Sequence, residues 1–140
     1  MNGAHVPATK VGGERRDARN RVRLLDTSTF SIDWGSTTTV VQWCDVISAR
    51  AVGNCTEIAT LAHILKVHCP LSGIVETLKC LGLVQLRRDV AVNGARVRRL
   101  VGGGRHRLVV VLEDGACVRV GRQFRRDIRA RFGQQNPDRQ

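Results

Sequence analysis

The sequence predicts a mainly β fold of antiparallel sheets with two short helices, and three observations predict it. Short runs rich in β-branched residues recur along the chain, as in Thr37 to Trp43 and Leu108 to Leu112. Turn-forming pairs separate them: Gly35-Ser36, Gly53-Asn54, Asn93-Gly94 and Asp114-Gly115. Only two stretches repeat their apolar residues with a helical period. A chain of 140 residues, 42% of them hydrophobic, suits one domain around one hydrophobic core.

Taken in order, residues 1–26 read as a basic arm without sustained periodicity, with Gly12-Gly13 and Arg15, Arg16, Arg19, Arg21 and Arg23. The folded domain is expected over 27–133. Phe30 to Trp34 alternates apolar and polar residues and reads as a strand, Thr37 to Trp43 as a second, and Asp45 to Ala49 as a third. Gly53-Asn54 breaks the run. Thr56 to Thr60 alternates, while Leu61 to Val67 is compatible with strand or helix. Pro70 ends that segment. Leu71, Ile74, Val75, Leu78 and Leu81 then line one face of an amphipathic helix of about three turns, closed by Gly82.

Val90 to Val92 precedes the Asn93-Gly94 turn, and Arg96 to Val101 follows as a strand. The glycines at 102–104 read as a flexible connection. Leu108 to Leu112 and Ala116 to Val120, joined through Glu113-Asp114-Gly115, give the clearest hairpin, expected with a type I′ turn because Asp-Gly tolerates positive φ. Phe124, Ile128 and Phe132 set the apolar face of a last helix, ended by Gly133, and residues 134–140 form a polar tail.

The formal charge of +11 is unevenly spread. Residues 87–140 hold fourteen arginines against five acids, whereas 1–39 hold six bases and four acids and 40–86 three of each. Twenty of the 23 basic residues are arginine, whose planar guanidinium matches phosphate and the acceptor edge of guanine. A collected basic segment favours an anionic partner, nucleic acid first and an anionic membrane surface second. Single-strand binders interleave aromatic residues with basic ones, but this chain has no Tyr, and its three Phe and two Trp fall at core-like positions.

Other classes find little support. Cys44, Cys55, Cys69, Cys80 and Cys117 include no CxxC pair and follow no secretory segment, so a reducing cytoplasm is expected, with the thiols serving as small buried apolar groups. His68-Cys69 is the sole adjacent pair of His and Cys, too few for a zinc site. No phosphate loop, G-x-S-x-G elbow or H-E-x-x-H motif occurs, and neither enzyme activity, a cofactor nor a small-molecule substrate is expected. No apolar run approaches the ~20 residues of a membrane span.

The order of elements resembles the LytTR-type DNA-binding domain of bacterial transcription regulators, from about Phe30 to Phe132. Three stretches carry the resemblance. Cys44-Asp45-Val46-Ile47 leads to Gly53-Asn54-Cys55; Leu86-Arg87-Arg88-Asp89 feeds Val90-Ala91-Val92-Asn93; and Val110-Val111-Leu112-Glu113-Asp114-Gly115 precedes Val120-Gly121-Arg122-Gln123 and the final helix. Cys55, Arg50, Arg87 and Gly121 depart from the residues most usual there, which bears on sequence preference rather than fold. Such domains usually follow a receiver domain, which the short upstream segment cannot form, so a stand-alone output domain is expected.

The resemblance implies a cytoplasmic regulator of transcription that inserts loop side chains into successive major grooves of double-stranded DNA. Asn54, Thr56, Arg88, Arg122 and Gln123 are the expected base contacts, since Arg can pair with guanine and Asn or Gln with adenine. Arg87, Arg125, Arg126 and Arg129 are the expected phosphate contacts. It also implies a homodimer on repeated half-sites, although no dimerisation element stands out beyond exposed strand edges. An RNA-binding module and a protein-interaction antagonist of full-length regulators are the alternative readings.

Overall fold

The computed structural model describes residues 20–102 and 107–133. Within them lie eleven strands in three antiparallel sheets and two α-helices, the mainly β architecture that the sequence predicts. The expectations for residues 1–19, for Gly103 and Gly104 in the glycine connection, and for the tail at 134–140 lie outside the described residues.

The first sheet runs β1 (Arg21–Leu24), β2 (Thr29–Asp33), β3 (Thr38–Gln42). The boundary expected for the arm is therefore corrected: Arg21 to Leu24 pair with Asp33 to Phe30, and half-buried Val22 packs on the core. At the β1–β2 turn the Asp26 carboxylate accepts hydrogen bonds from the Ser28 N–H and the Thr29 hydroxyl, each at 2.8 Å. The Ser28 backbone bond foremost, then the Thr29 hydroxyl, hold the Asp26 pKa below its ordinary value.

The central sheet has the order β6-β5-β4-β8-β7, built from β4 (Val46–Val52), β5 (Cys55–Thr60), β6 (Ile64–Val67), β7 (Leu83–Arg87) and β8 (Val90–Asn93). The ambiguous stretch ending at Val67 resolves as strand because its residues continue the ladder, Thr56 opposite Val67 and Ile58 opposite Leu65. Helix α1 (Leu71–Leu78) follows, extended by a 3-10 turn to Leu81 and stopped at Gly82, whose φ of 116° suits glycine. The third sheet is β11 (Cys117–Arg119), β10 (Leu108–Leu112), β9 (Val97–Gly102), and α2 (Arg125–Phe132) closes the chain.

Two hydrophobic clusters replace the single core expected. Phe30, Ile32, Trp34, Val41 and Trp43 pack with Val46, Ile58, Val67 and the α1 residues Leu71, Ile74 and Leu78 on one face of the central sheet. Leu108, Val110, Leu112, Val120 and Ile128 pack with Val84, Leu86, Val90 and Val92 on the other. The β7–β8 hairpin belongs to both: Leu83 and Ala91 face the first cluster, and the residues alternating with them face the second. Every residue of β8 is buried. This explains why β7 shows no alternation in the sequence, since both faces of the strand are covered.

The β10–β11 hairpin differs from the expected type I′ form. Gly115 N–H donates to the Leu112 carbonyl at 2.9 Å, which makes Glu113 and Asp114 the central pair, and Leu112 N–H donates to Ala116 O at 2.9 Å. Gly115, with φ of 91°, then occupies the left-handed position of a three-residue loop. The Asp114 carboxylate accepts from Ala116 N–H at 3.0 Å and completes the turn. The cysteines also depart from expectation, because none is buried. Cys44, Cys80 and Cys117 are exposed and Cys55 and Cys69 half-buried, since they fall in turns or at outward strand positions.

Asn93 ties the two halves together. It is 1% exposed; its Nδ2 donates to Trp43 O (3.2 Å) and Val46 O (3.0 Å), and its Oδ1 accepts from Ala95 N–H (2.9 Å). Asn93→Ala removes three hydrogen bonds and most of a side chain from a buried position, takes from Ala95 N–H its side-chain acceptor, and is expected to lower stability by on the order of 3 kcal/mol, read as a lower urea midpoint with unchanged slope.

Candidate functional site

The ladder register brings three turns to one end of the molecule. Val52 pairs with Cys55, so Gly53-Asn54 is a two-residue turn at the finishing end of β4, with Gly53 at a φ of 64°. Arg87 pairs with Val90, leaving Arg88-Asp89 as the β7–β8 turn. Arg50 lies opposite Val90, and Ala51 N–H donates to Asp89 O at 2.9 Å, so the two turns are neighbours. The third segment joins through Gly121, whose N–H donates to Leu86 O at 2.7 Å. A Cβ at Gly121 would lie 3.6 Å from Arg87 Cα. Arg88 and Arg122 each stand one residue beyond this contact, on the same end of the fold.

The chain reaches this arrangement for local reasons. Gln85 Nε2 donates to Arg87 O at 3.0 Å and to Arg88 O at 3.4 Å, holding the backbone of the second turn from inside. Arg87 Nε sits 3.2 Å from Asp89 Oδ1, a half-exposed pair that orients the guanidinium more than it stabilises the fold. Arg122, Gln123 and Phe124 form a 3-10 turn that leads directly into α2, and Phe124 N–H donates to Gly121 O at 2.9 Å. Phe124, Ile128 and Phe132 anchor α2 on the second core, as their spacing predicts.

The expected site residues do not all arrive together. Asn54, Arg88, Arg122 and Gln123 are exposed at this end, and none of the four makes an ion pair among the described residues. Thr56 is corrected: it is 0% exposed, and its hydroxyl donates to Cys69 O at 2.7 Å. The reason is pleat parity, since Thr56 shares the inward face with Ile58 and cannot meet a partner from outside. Helix α2 leaves the site end and runs to the far one, where Arg131 Nη2 lies 3.7 Å from the Cβ position of Gly94. Arg126, in its first turn, is exposed close to Arg122, and Arg129 is exposed about one turn further along. Arg125 is half-buried, with a buried Nε that has no hydrogen-bond partner among the described residues.

Other residues reach this end without having been named as DNA contacts from the sequence. Arg50 is exposed beside the second turn, 3.7 Å from Glu57 across the ladder. Cys55 Sγ lies 3.4 Å from His68 Nδ1, and Asn20 holds His68 through its Oδ1 at 2.6 Å, so the chain enters the described fold here as well. Arg119, opposite Val109 on β11, and Arg107, just before β10, are exposed near Gly121 because Val120 N–H donates to Leu108 O at 2.9 Å. Pleat parity and strand ends are the signals that find them.

The far end has a different character. Arg96 is spent there on Val46 O (3.0 Å), Cys44 O (2.6 Å) and Glu113 Oε1 (3.2 Å). Among the described residues no group of three or more His, Cys, Asp or Glu side chains is placed to hold a metal, and no helix is long and apolar enough to cross a membrane.

Comparison with known proteins adds to this geometry. The chain matches the family model of the LytTr DNA-binding domain over residues 36–133, and no curated protein sequence matches it. Among solved structures it is similar to the LytTr DNA-binding domain of a response regulator from Bacillus cereus. That match has a TM-score of 0.60 at 14% identity and covers 74% of this chain and 94% of the other. The likeness is one of fold, reached with few shared residues.

The placement of Thr56 is directly checkable. Thr56→Val removes the buried hydroxyl that donates to the Cys69 carbonyl, an expected loss of about 1 kcal/mol in denaturant unfolding with no change in the surface at the three turns.

Proposed function

The chain belongs to the LytTr DNA-binding domain family, and from that membership we propose that it binds double-stranded DNA sequence-specifically and regulates transcription, using the end of the fold that carries Asn54, Arg88 and Arg122. The observation that carries the reading is the convergence of three separate turns on one end, with exposed guanidiniums on two of them. A duplex is a rigid partner, so groups that read it together must face the same way.

In this reading Arg88 and Arg122 enter major grooves and donate paired hydrogen bonds to guanine N7 and O6, while Asn54 and Gln123 are suited to adenine. Arg87, Arg125, Arg126 and Arg129 meet phosphates and set the register of the protein on the duplex. The Arg87–Asp89 pair loosens in favour of phosphate, a change that costs little because both groups are largely solvated. No step requires a cofactor or covalent chemistry. The partner is the duplex itself, with a homodimer on repeated half-sites as the arrangement the family resemblance suggests.

Selection of binding sites from a random duplex pool supplies the preferred sequence against which the roles separate. Arg122→Ala is expected to cost about 1–3 kcal/mol on that sequence and to flatten discrimination at one base position. Equal losses on selected and scrambled duplexes would remove Arg122 from the base-reading set. Arg126→Ala is expected to weaken all sequences alike and to reduce the slope of log affinity against log salt by about one. Preference for single-stranded RNA over duplex in direct competition would overturn the proposal.

A further inference from the structure

The third sheet turns a second, unpartnered face to solvent. Along β10, Leu108, Val110 and Leu112 are buried in the second core, so Val109 and Val111 point outward. The register places Val101 and Arg119 on either side of Val109, and Arg99 and Cys117 on either side of Val111. Arg107 precedes Leu108 on the side of Val109 and Val111. The face thus holds Arg99, Arg107 and Arg119 around a valine centre, and all three arginines are exposed.

Two features of this face point to a ligand. No carboxylate faces it from β9, β10 or β11, and none of the three guanidiniums has an ion-pair partner among the described residues. Asp114, the acid nearest in sequence, accepts from Ala116 N–H in the turn at the opposite end of the hairpin, and Glu113 beside it is occupied by Arg96. The arrangement is also graded in position. Arg107 and Arg119 lie at the strand ends beside Gly121, next to Arg122, and Arg99 lies one outward row further from that end.

We propose that this face continues the DNA surface: Arg107, Arg119 and Arg99 form a track for the phosphates flanking the groove that Arg122 enters. The inference rests on the function proposed above and extends it from the turns to a sheet face. DNA is favoured over an acidic protein because the track is continuous with the Arg122 turn and its charges step away from that turn along one direction. The valines between them supply no competing charge. Contacts of this kind add affinity without sequence information, through release of counterions from the backbone.

The test compares the full chain with the triple variant R99Q/R107Q/R119Q, titrated with selected and scrambled duplexes at several salt concentrations. The track predicts a shallower salt dependence, by about 0.9 for each phosphate lost, equal on both duplexes. Lys79→Gln is the control for net charge, since Lys79 lies at the far end of α1 and pairs with Glu76 at 2.7 Å; its salt slope stays at the wild-type value. Thermal unfolding of the triple variant at the wild-type midpoint shows that a loss is not one of folding. An unchanged slope in the triple variant, with Arg126→Ala still shallower, overturns the track and leaves the turn-based reading intact. A loss confined to the selected duplex overturns it too, because phosphate contacts cannot discriminate. Failure of the wild-type chain to bind any duplex overturns the function proposed above, and this inference with it.

Discussion

The β7–β8 hairpin is the constraint on which the rest depends, because it is buried on both faces. Leu83 and Ala91 close one core while Val84, Leu86, Val90 and Val92 close the other. Two layers that share no other strand pair are thereby fixed relative to one another. Asn93 strengthens the join with three hydrogen bonds made by a buried side chain, a network whose value lies in complete satisfaction. Because the hairpin cannot shift without opening a core, its turn at Arg88-Asp89 has a fixed position in the fold. Its two neighbours inherit that position, one through Ala51 and Asp89 and the other through Leu86 and Gly121.

The two ends of the molecule consequently have different chemistry. At one end arginines are consumed internally: Arg96 caps backbone carbonyls and pairs with Glu113, and Arg131 lies over the Phe132 ring with its guanidinium carbon 5.6 Å from the centroid. At the other end Arg50, Arg88, Arg122, Arg126, Arg107 and Arg119 are exposed, and the acids close to them, Glu57, Asp89 and Asp127, are fewer. A field of one sign gathered at one end steers a polyanion to that end before any specific contact forms. Specific reading then requires side chains held still, which the shared hairpin provides for Arg88 and the Gly121 contact provides for Arg122.

Much of this was legible in the sequence where local pattern and tertiary environment agree. The β10–β11 hairpin, both helices and the strands β2, β3 and β4 could be read from alternation, helical spacing and turn residues. What escaped did so for identifiable reasons. β7 is covered on both faces, so Leu83 to Leu86 lacks the alternation that marks a strand. β1 is an edge strand of four residues whose arginines alternate with Val22 and Leu24, and in a basic stretch that pattern passes for an arm. Thr56 shows the limit of reading a site from a turn: one residue of offset reverses the face, and parity is known only once a partner strand fixes it. The arginines at 107 and 119 stand at strand ends of the β10–β11 hairpin, but that end meets the other turns through the Gly121–Leu86 contact between distant segments, which no local signal reports.

The central claim is that the end bearing the Gly53-Asn54, Arg88-Asp89 and Gly121-Arg122 turns is the surface that meets DNA. Backbone amide chemical shifts of the full chain, followed by NMR during titration with a duplex selected from a random pool, test it most directly. The account predicts changes gathered at residues 53–54, 87–89 and 121–123, with 94–96 and 113–115 unmoved. Changes centred on 94–96 and 113–115, at the opposite end, would contradict it.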